Sequence, residues 1–498
     1  MGLALFSELQ RHAHQRGGEE AVRVIGPLAE AHPPTTWETL ARSTQRVAAR
    51  LDRDLPPDAV VMLASPNRPE VLPVFLGVLA SGRSVFPIDP ALTPHEIRTL
   101  IQKAGAAALI ADDPRRPDLE AIRIPVLPLA ELSEDAAPAP APTSRPPDGW
   151  IDRGEDAWLL LQSSGTTGGP KIVRRSGPSL DAVARNVAEA VGLRPDDRVV
   201  ASVPLSHSYG IENCLLAPLV TGATMLHHVA EDHQPGRGFD PTLAVTSGAT
   251  VLPGVPAMFE MIDRLGAGRG QLRLAYSAGA PLPPQLADRL EQRDGLRLGQ
   301  LYGSTEIGSV TFGPHPLSVG RPMRGVDVRI LDPDQPDPAH PLPHGQPGHV
   351  AVRAPSMFTR YLGPDTLTAE SVVDGYFLTG DLGRLDDQDN LHITGRLKLL
   401  IDIGGVKVNP VEVEQVIASH PAVAECVVMP DPVSPTINRV KAVLTTTGGD
   451  VDQSALRSFL RERLAAHKVP RTFEVRAELP KSPTGKILRR KLQLRESA

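Results

Sequence analysis

Short runs of apolar residues alternate with longer, helix-spaced ones between Val60 and Ile110, and no other feature limits the fold of this chain as much. Val60 to Ala64 reads as a buried strand, Val71 to Leu79 as a helix, and Ser84 to Ile88 and Ala108 to Ile110 as further strands. Strands separated in this way by helices imply a parallel sheet wrapped on its faces. Upstream, Thr35-Thr36-Trp37-Glu38 reads as a capping box that opens a helix with Leu40, Ala41, Val47, Ala48 and Leu51 at helical spacing. The alternation resumes with a helix marked by Leu180, Val183, Ala184, Val187 and Val191, and a strand from Val199 to Val203.

Between these stretches, Ala130 to Asp148 is rich in alanine and proline and has too little branched apolar content to pack, so it reads as a surface connector. From Asp327 to Arg353 the pattern changes to short strands around the proline-rich turn Asp332 to Pro347, as in a small β subdomain. Beyond about Gly395 come the strands Cys426 to Met429 and Lys441 to Thr445, then a helix with Leu456, Phe459, Leu460 and Leu464 on one face. A chain of 498 residues exceeds what a single core usually holds. The expectation is an α/β protein: a large N-terminal domain of helix-wrapped sheets with a small β subdomain, residues 1–395, and a smaller α+β C-terminal domain, residues 396–498.

Composition removes several function classes. A formal charge of −6 gives no general basic field for nucleic acid or an anionic membrane, and the one dense basic run is Arg489-Arg490-Lys491. The two cysteines, Cys214 and Cys426, lie far apart, which supports neither a disulfide framework nor a zinc site and suits a reducing compartment. The first residues lack a basic segment and an adequate apolar core for a signal peptide, and Phe6 stands where a myristoylation signal needs serine or threonine. No apolar run reaches the roughly 18 residues of a membrane span. A cytoplasmic protein is expected.

Chemistry concentrates first in Leu160 to Lys171, LLQSSGTTGGPK, where hydroxyl and glycine residues follow directly on an apolar strand. Glycines let backbone N–H groups converge on one anion, Ser163, Ser164, Thr166 and Thr167 add rotatable donors, and Lys171 adds charge. This is a phosphate-gripping loop. It lacks the Gly-Lys-Ser/Thr ending of P-loop nucleotide enzymes, because Pro170 precedes the lysine, and a P-loop phosphotransferase is thereby disfavoured.

Residue for residue, this loop resembles the AMP-binding signature of the adenylate-forming superfamily of acyl- and aryl-CoA synthetases, peptide-synthetase adenylation domains and luciferases. Further stretches follow that family's order: Pro87-Ile88-Asp89-Pro90, Pro204-Leu205-Ser206-His207, Ser277 to Pro281, Gln300 to Glu306, Val319 to Pro322, Tyr376 to Asp381, Thr394 to Arg396 and Pro480 to Lys486. The resemblance implies an ATP- and Mg2+-dependent ligase that forms an acyl-AMP and transfers the acyl group to a thiol. In that reading Ser163, Ser164, Gly165, Thr166, Thr167, Gly168 and Lys171 hold phosphate, and Gly279, Ala280, Pro281, Gln300, Tyr302, Gly303, Ser304 and Thr305 hold nucleotide. Glu306 binds Mg2+, Asp381 and Arg396 take the ribose, and Lys486 is the lysine of the adenylating step. The catalytic set is Lys486, Thr166, Glu306 and Arg396. The C-terminal domain becomes a mobile lid hinged near Lys398, with Gly404 and Gly405 leaving room for a pantetheine arm.

Adenylation domains that select amino acids usually carry an aspartate in the stretch corresponding to Ser206 to Tyr209, where His207 stands here. An uncompensated buried ammonium would be costly, so a fatty or aryl acid without an α-amino group is expected. His207, Ser208, Tyr209 and Gly303 would line its pocket. The acceptor thiol belongs to coenzyme A or, as the alternative, to the phosphopantetheine of an acyl carrier protein; the absence of an obvious long insertion favours coenzyme A. Asp402 stands where several plant and insect relatives have lysine, which argues against luciferase-like oxidation. A nucleotide-binding pseudoenzyme is the remaining alternative. It would be expected to lack Glu306, Asp381, Arg396 or Lys486, and all four are present.

Overall fold

The computed structural model describes residues 4–112, 122–133, 158–163, 171–228, 240, 242–399, 401–402, 407–434, 437–449, 451–464, 468–481 and 487–493. The chain divides into two compact units, residues 1–327 with 352–377 and residues 328–351 with 378–498.

The first unit carries two large sheets. One has seven strands in the order Arg360–Tyr361, Lys171–Ser176, Trp158–Ser163, Ser84–Ile88, Val60–Ala64, Ala106–Ala111 and Val126–Pro128. From Trp158–Ser163 onward the pairs are parallel, and the first two pairs are antiparallel. Val60–Ala64 and Ser84–Ile88 fall where the sequence places them. They are buried along almost all their length, which is why they read as continuous apolar runs and not as alternating ones. The other sheet has nine strands in the order Arg321–Pro322, Gly308–Gly313, Leu298–Ser304, Leu274–Ser277, Val251–Gly254, Arg198–Val200, Thr224–His228, Glu20–Ile25 and Thr35–Thr36. Its six central strands are parallel, and antiparallel strands close both edges.

Helix Val71–Ala80 is buried at every residue and therefore apolar all round. Helix Trp37–Asp54 packs on it through a single buried face that includes Trp37, Leu40, Val47 and Leu51. Each fully buried large side chain of this kind contributes about 1.5–3 kcal/mol. The start of Trp37–Asp54 departs from expectation: the cap is Thr36, whose Oγ1 accepts from Thr39 N at 3.2 Å, while Thr35 pairs with Val22 in a short strand. The carbonyls of Glu19 and Gly17 already accept from the N–H groups of Trp37 and Glu38, so Glu38 turns outward to Arg42. A reciprocal capping box does occur, at Thr93 and Glu96. Of the alanine- and proline-rich stretch, only its start is described, in the short helix Leu129–Ser133; residues 134–157 lie outside the described residues.

The proline-rich turn is flanked by Asp327–Leu331 and Gly348–Arg353, as the sequence implies. These strands belong to a five-stranded sheet with Val372–Val373, Tyr376–Leu385 and Leu391–Arg396. Further along, Val423–Ser434, Ile437–Thr446 and Thr472–Val475 form a three-stranded sheet. Helices Pro410–Ala418 and Gln453–Arg461 supply Val413, Ile417, Leu456 and Leu460 to a core shared with Val428, Ala442 and Leu444. Among the described residues, no helix is long and apolar enough to cross a membrane.

Candidate active site

The strands on either side of the proposed phosphate loop are an antiparallel pair whose last register partners are Ser163 and Lys171. Ser163 is buried, and Lys171 directs its Nζ over the Tyr361 ring, 4.5 Å from the centroid. Tyr361 in turn donates its hydroxyl to Glu306 Oε1 at 3.0 Å. Burial, reinforced by that carboxylate, pushes the phenol far above its ordinary pKa, so it stays a proton donor. The surrounding segment is tied down by its backbone: Phe358 N donates to Glu306 O at 2.7 Å, Thr359 N to Arg174 O and Leu362 N to Ile172 O. Sequence reasoning missed Tyr361. It lies 55 residues from the carboxylate it holds, and no local pattern marks it.

Glu306 sits at the bend between Leu298–Ser304 and Gly308–Gly313, with Tyr302, Gly303, Ser304 and Thr305 leading to it. The ladder is irregular between Tyr302 and Gly303, a device that re-aims side chains beside functional sites. Only glycine fits at position 303, because a Cβ there would stand 2.2 Å from Gly308 O. Next to this bend, the parallel strands Val251–Gly254 and Leu274–Ser277 end in turn, and Gly279, at φ 83°, leads into exposed Ala280 and Pro281. Open parallel sheets bind ligands beyond such carboxyl ends. Gln300 is nearly buried and its Nε2 donates to Pro316 O at 2.5 Å, so its amide supports the adjoining loop.

The segment that the sequence reading assigns to the acid begins at His207, an exposed residue in extended conformation before the short helix Ser208–Gly210. Partial loss of hydration around the imidazole lowers its pKa against an opposing pull from Asp89, so the ring is neutral at pH 7. Tyr209 donates to Gly254 O at 3.1 Å, and burial raises its phenol well above the ordinary value. This links the acid segment to the strand ends described above.

Within the second unit, Asp381 and Arg396 are register partners on adjacent antiparallel strands, and Arg396 Nε donates to Asp381 Oδ1 at 2.6 Å. Asp381 N donates to Thr379 Oγ1 and Gly380 N to His349 Nε2, which fix the turn that carries the carboxylate. Lys398 lies in the single 3-10 turn Leu397–Leu399. Its side chain, together with Ser164, Gly165, Thr166, Thr167, Gly168, Gly404, Gly405 and Lys486, lies outside the described residues.

Among the described residues, no cluster of three or more His, Cys, Asp or Glu is arranged to hold a metal. Glu306 fits Mg2+ in the other way that ion is commonly bound, through one carboxylate with the remaining ligands supplied by substrate phosphates and water.

Comparison with known proteins agrees along the chain. Residues 9–362 match the family model described as AMP-binding enzyme, and residues 412–486 match the AMP-binding enzyme C-terminal domain. The chain is similar to a feruloyl-CoA synthase of Amycolatopsis sp, 31% identical over 482 residues that cover 92% of this chain and 94% of that one. It is also similar to 4-coumarate–CoA ligase 1 of Oryza sativa subsp. japonica, 28% identical with 97% and 92% covered. Among solved structures it resembles ATP-bound MatB from Rhodopseudomonas palustris, with a TM-score of 0.86, 27% identity and coverage of 100% and 99%.

Proposed function

The chain belongs to the AMP-binding enzyme family, and from that membership we propose how its own residues divide the work of an AMP-forming acid–thiol ligase. Such an enzyme activates a carboxylic acid with ATP and passes the acyl group to coenzyme A. In the first step a carboxylate oxygen of the acid attacks the α-phosphorus of ATP. The bond from that phosphorus to the bridging oxygen breaks, and pyrophosphate leaves. In the second, a thiol sulfur attacks the acyl carbon, the bond to AMP breaks, and the thiol proton passes to solvent.

The first step brings anions together, and fixed cations and donors lower its barrier by acting where charge develops. Ser163, Lys171 and the loop between them bind the phosphates. Glu306 would hold Mg2+, which when bound would supply positive charge to offset that of the phosphates. Tyr361 holds the Glu306 carboxylate in one orientation and offers Lys171 an aromatic face, so both stay aimed without substrate. Tyr302 and the Gly279–Pro281 turn receive the adenine, and Asp381 with Arg396 receives the ribose. Lys486, carried by the C-terminal residues 396–498 pivoting near Lys398, approaches the reacting carboxylate. In the second orientation Gly404 and Gly405 admit the pantetheine arm.

The observation that carries this reading is the Lys171–Tyr361–Glu306 arrangement, which joins the phosphate strand to the metal carboxylate. For the acid, an aryl acid is the preferred substrate class over long-chain fatty acids and amino acids. Support comes from neutral His207 in place of a carboxylate, and from relatives named for feruloyl and coumarate groups. Unpaired Cys214 and Cys426 suit residence in the reducing cytoplasm. The test is pyrophosphate release over a panel of aryl, fatty and amino acids, repeated with coenzyme A and with a holo acyl carrier protein. The reading expects aryl acids and coenzyme A to give the highest kcat/KM. A preference for amino acids, or thioester formed only on the carrier, would overturn the corresponding part.

A further inference from the structure

A buried ion pair that none of the roles above uses lies beneath the acid segment. Arg175 is completely buried and Glu212 is 1% exposed. Arg175 Nη1 donates to Glu212 Oε1, and Ser208 Oγ donates to the same oxygen at 3.3 Å. Ser309 donates to Oε2 twice, from its N at 2.8 Å and its Oγ at 2.6 Å. Asn213, next in the chain, donates to Ser309 Oγ at 3.3 Å and to Tyr209 O at 3.1 Å, and accepts from Tyr276 OH at 3.1 Å. Glu212 and Asn213 belong to a π-helical stretch, Ile211–Leu216, a rare winding that is frequent at functional sites.

Stability does not account for the pair. Apolar residues of similar volume usually hold such a position as well or better, because two charges have left water. Here the desolvation is not even fully offset, since Arg175 Nε and Nη2 are buried with no hydrogen-bond partner among the described residues. What the pair does provide is a junction. Arg175 is on the strand that leaves the phosphate loop, Ser208 and Asn213 are on the acid segment, and Ser309 pairs with Gly303 beside the bend that carries Glu306. The fit over the pair is close as well: a Cβ on Gly308 would stand 2.9 Å from Arg175 Nη2 and 3.1 Å from Glu212 Oε1.

We propose that Glu212, with Arg175 as its counter-ion, is a positioning residue for the acid: one carboxylate fixes where His207, Ser208 and Tyr209 stand relative to the nucleotide bend, and so sets acid affinity and acid selectivity. This rests on the reading of residues 207–209 as the acid pocket. Loosening the junction moves the acid wall while the phosphate strand and Glu306 keep their own ties through Tyr361. The predicted signature is therefore a split between the two substrates.

The experiment measures acid-dependent pyrophosphate–ATP exchange in wild type, in Ser309→Ala, and in the double variant R175M/E212L, which replaces the charges by apolar volume. Ser309→Ala removes one hydrogen bond to Glu212 and keeps the backbone one; it is expected to raise the acid KM by about fivefold. The double variant is expected to melt near wild type, to raise the acid KM tenfold or more, and to narrow the discrimination between the best acid and the next. In both, kcat and the ATP KM are expected to stay within about twofold. An unchanged acid KM in Ser309→Ala overturns the proposal even if the double variant fails to fold. So does a parallel rise in acid and ATP KM, which is what a purely structural role would give. Wild-type exchange that needs no acid overturns the pocket reading itself, and the inference with it.

Discussion

The two units hold their functional charges in different ways. In the first, Glu306 is held by Tyr361, and Glu212 by Arg175, Ser208 and Ser309, on three separate stretches of chain. In the second, Asp381 is buried but its partner Arg396 is 43% exposed, and the two meet across one strand ladder. Groups fixed from several directions are pre-organised and keep their aim without ligand. The turn that carries Asp381 is instead fixed close by in the chain and the sheet, through Thr379 and His349, and its paired arginine is half exposed. The difference teaches that Glu306 and Glu212 are aimed where distant segments meet, whereas Asp381 is aimed by its own ladder and turn.

Substitutions can break that comparison. The largest effect is expected for Glu306→Gln, with kcat for adenylation falling roughly a thousandfold and the melting temperature little changed. Near-normal turnover would show that the metal is held elsewhere. Gly405→Leu is expected to spare pyrophosphate exchange and slow thioester formation about a hundredfold; equal loss of both would count against the tunnel role. Asp381→Ala is expected to raise the ATP KM roughly thirtyfold, read by initial rates against ATP, with the acid KM unmoved. Tyr361→Phe keeps the aromatic face under Lys171 and removes only the hydroxyl. The Mg2+ concentration for half-maximal nucleotide binding, read by calorimetry, should rise about fivefold, and no change would remove Tyr361 from the metal site.

The smallest effect on activity, and the sharpest contrast between the units, is in pH dependence. His227 is buried in the first unit and its pKa is lowered to about 4. The unfolded chain takes up a proton near pH 6.5 that the folded state refuses until about pH 4. The contribution is therefore intact above pH 6.5 and falls as pH drops, by roughly 3 kcal/mol across that window. Glu414 in the second unit has the opposite sign: burial raises its pKa despite Arg489, so its contribution is present at low pH and lost as pH rises through the folded value. Hydrogen exchange at pH 6.5 and 4.5 should show protection falling around His227 in wild type and less so in His227→Gln. The core around Glu414 should change in the other direction. Uniform loss across both units would contradict these assignments.

What the sequence could reveal followed the range of the interactions. Continuous apolar runs locate Val60–Ala64 and Ser84–Ile88 correctly, because a strand buried on both faces needs no partner information to be recognised. The cap at Thr36 was misjudged by one residue, since carbonyls of Gly17 and Glu19 had already taken the donors that a capping box serves. Tyr361 and Glu212 were invisible: apart from Ser208, four residues from Glu212, their partners are 55, 37 and 97 residues away, and neither position carries a local pattern. Nor does the sequence announce the π-helical winding that contains Glu212. Motif order names candidates for substrate contact, whereas the residues that hold those candidates in place emerge only when distant segments meet.

The central claim is that ATP is split by an organic carboxylate at its α-phosphorus. Nucleotide products analysed after incubation with ATP, Mg2+ and an aryl acid, before any thiol is added, test it most directly. The account predicts pyrophosphate and enzyme-bound acyl-AMP in equal amounts, with AMP released once coenzyme A is supplied. Formation of ADP and phosphate, or nucleotide cleavage at the same rate without the acid, would contradict it.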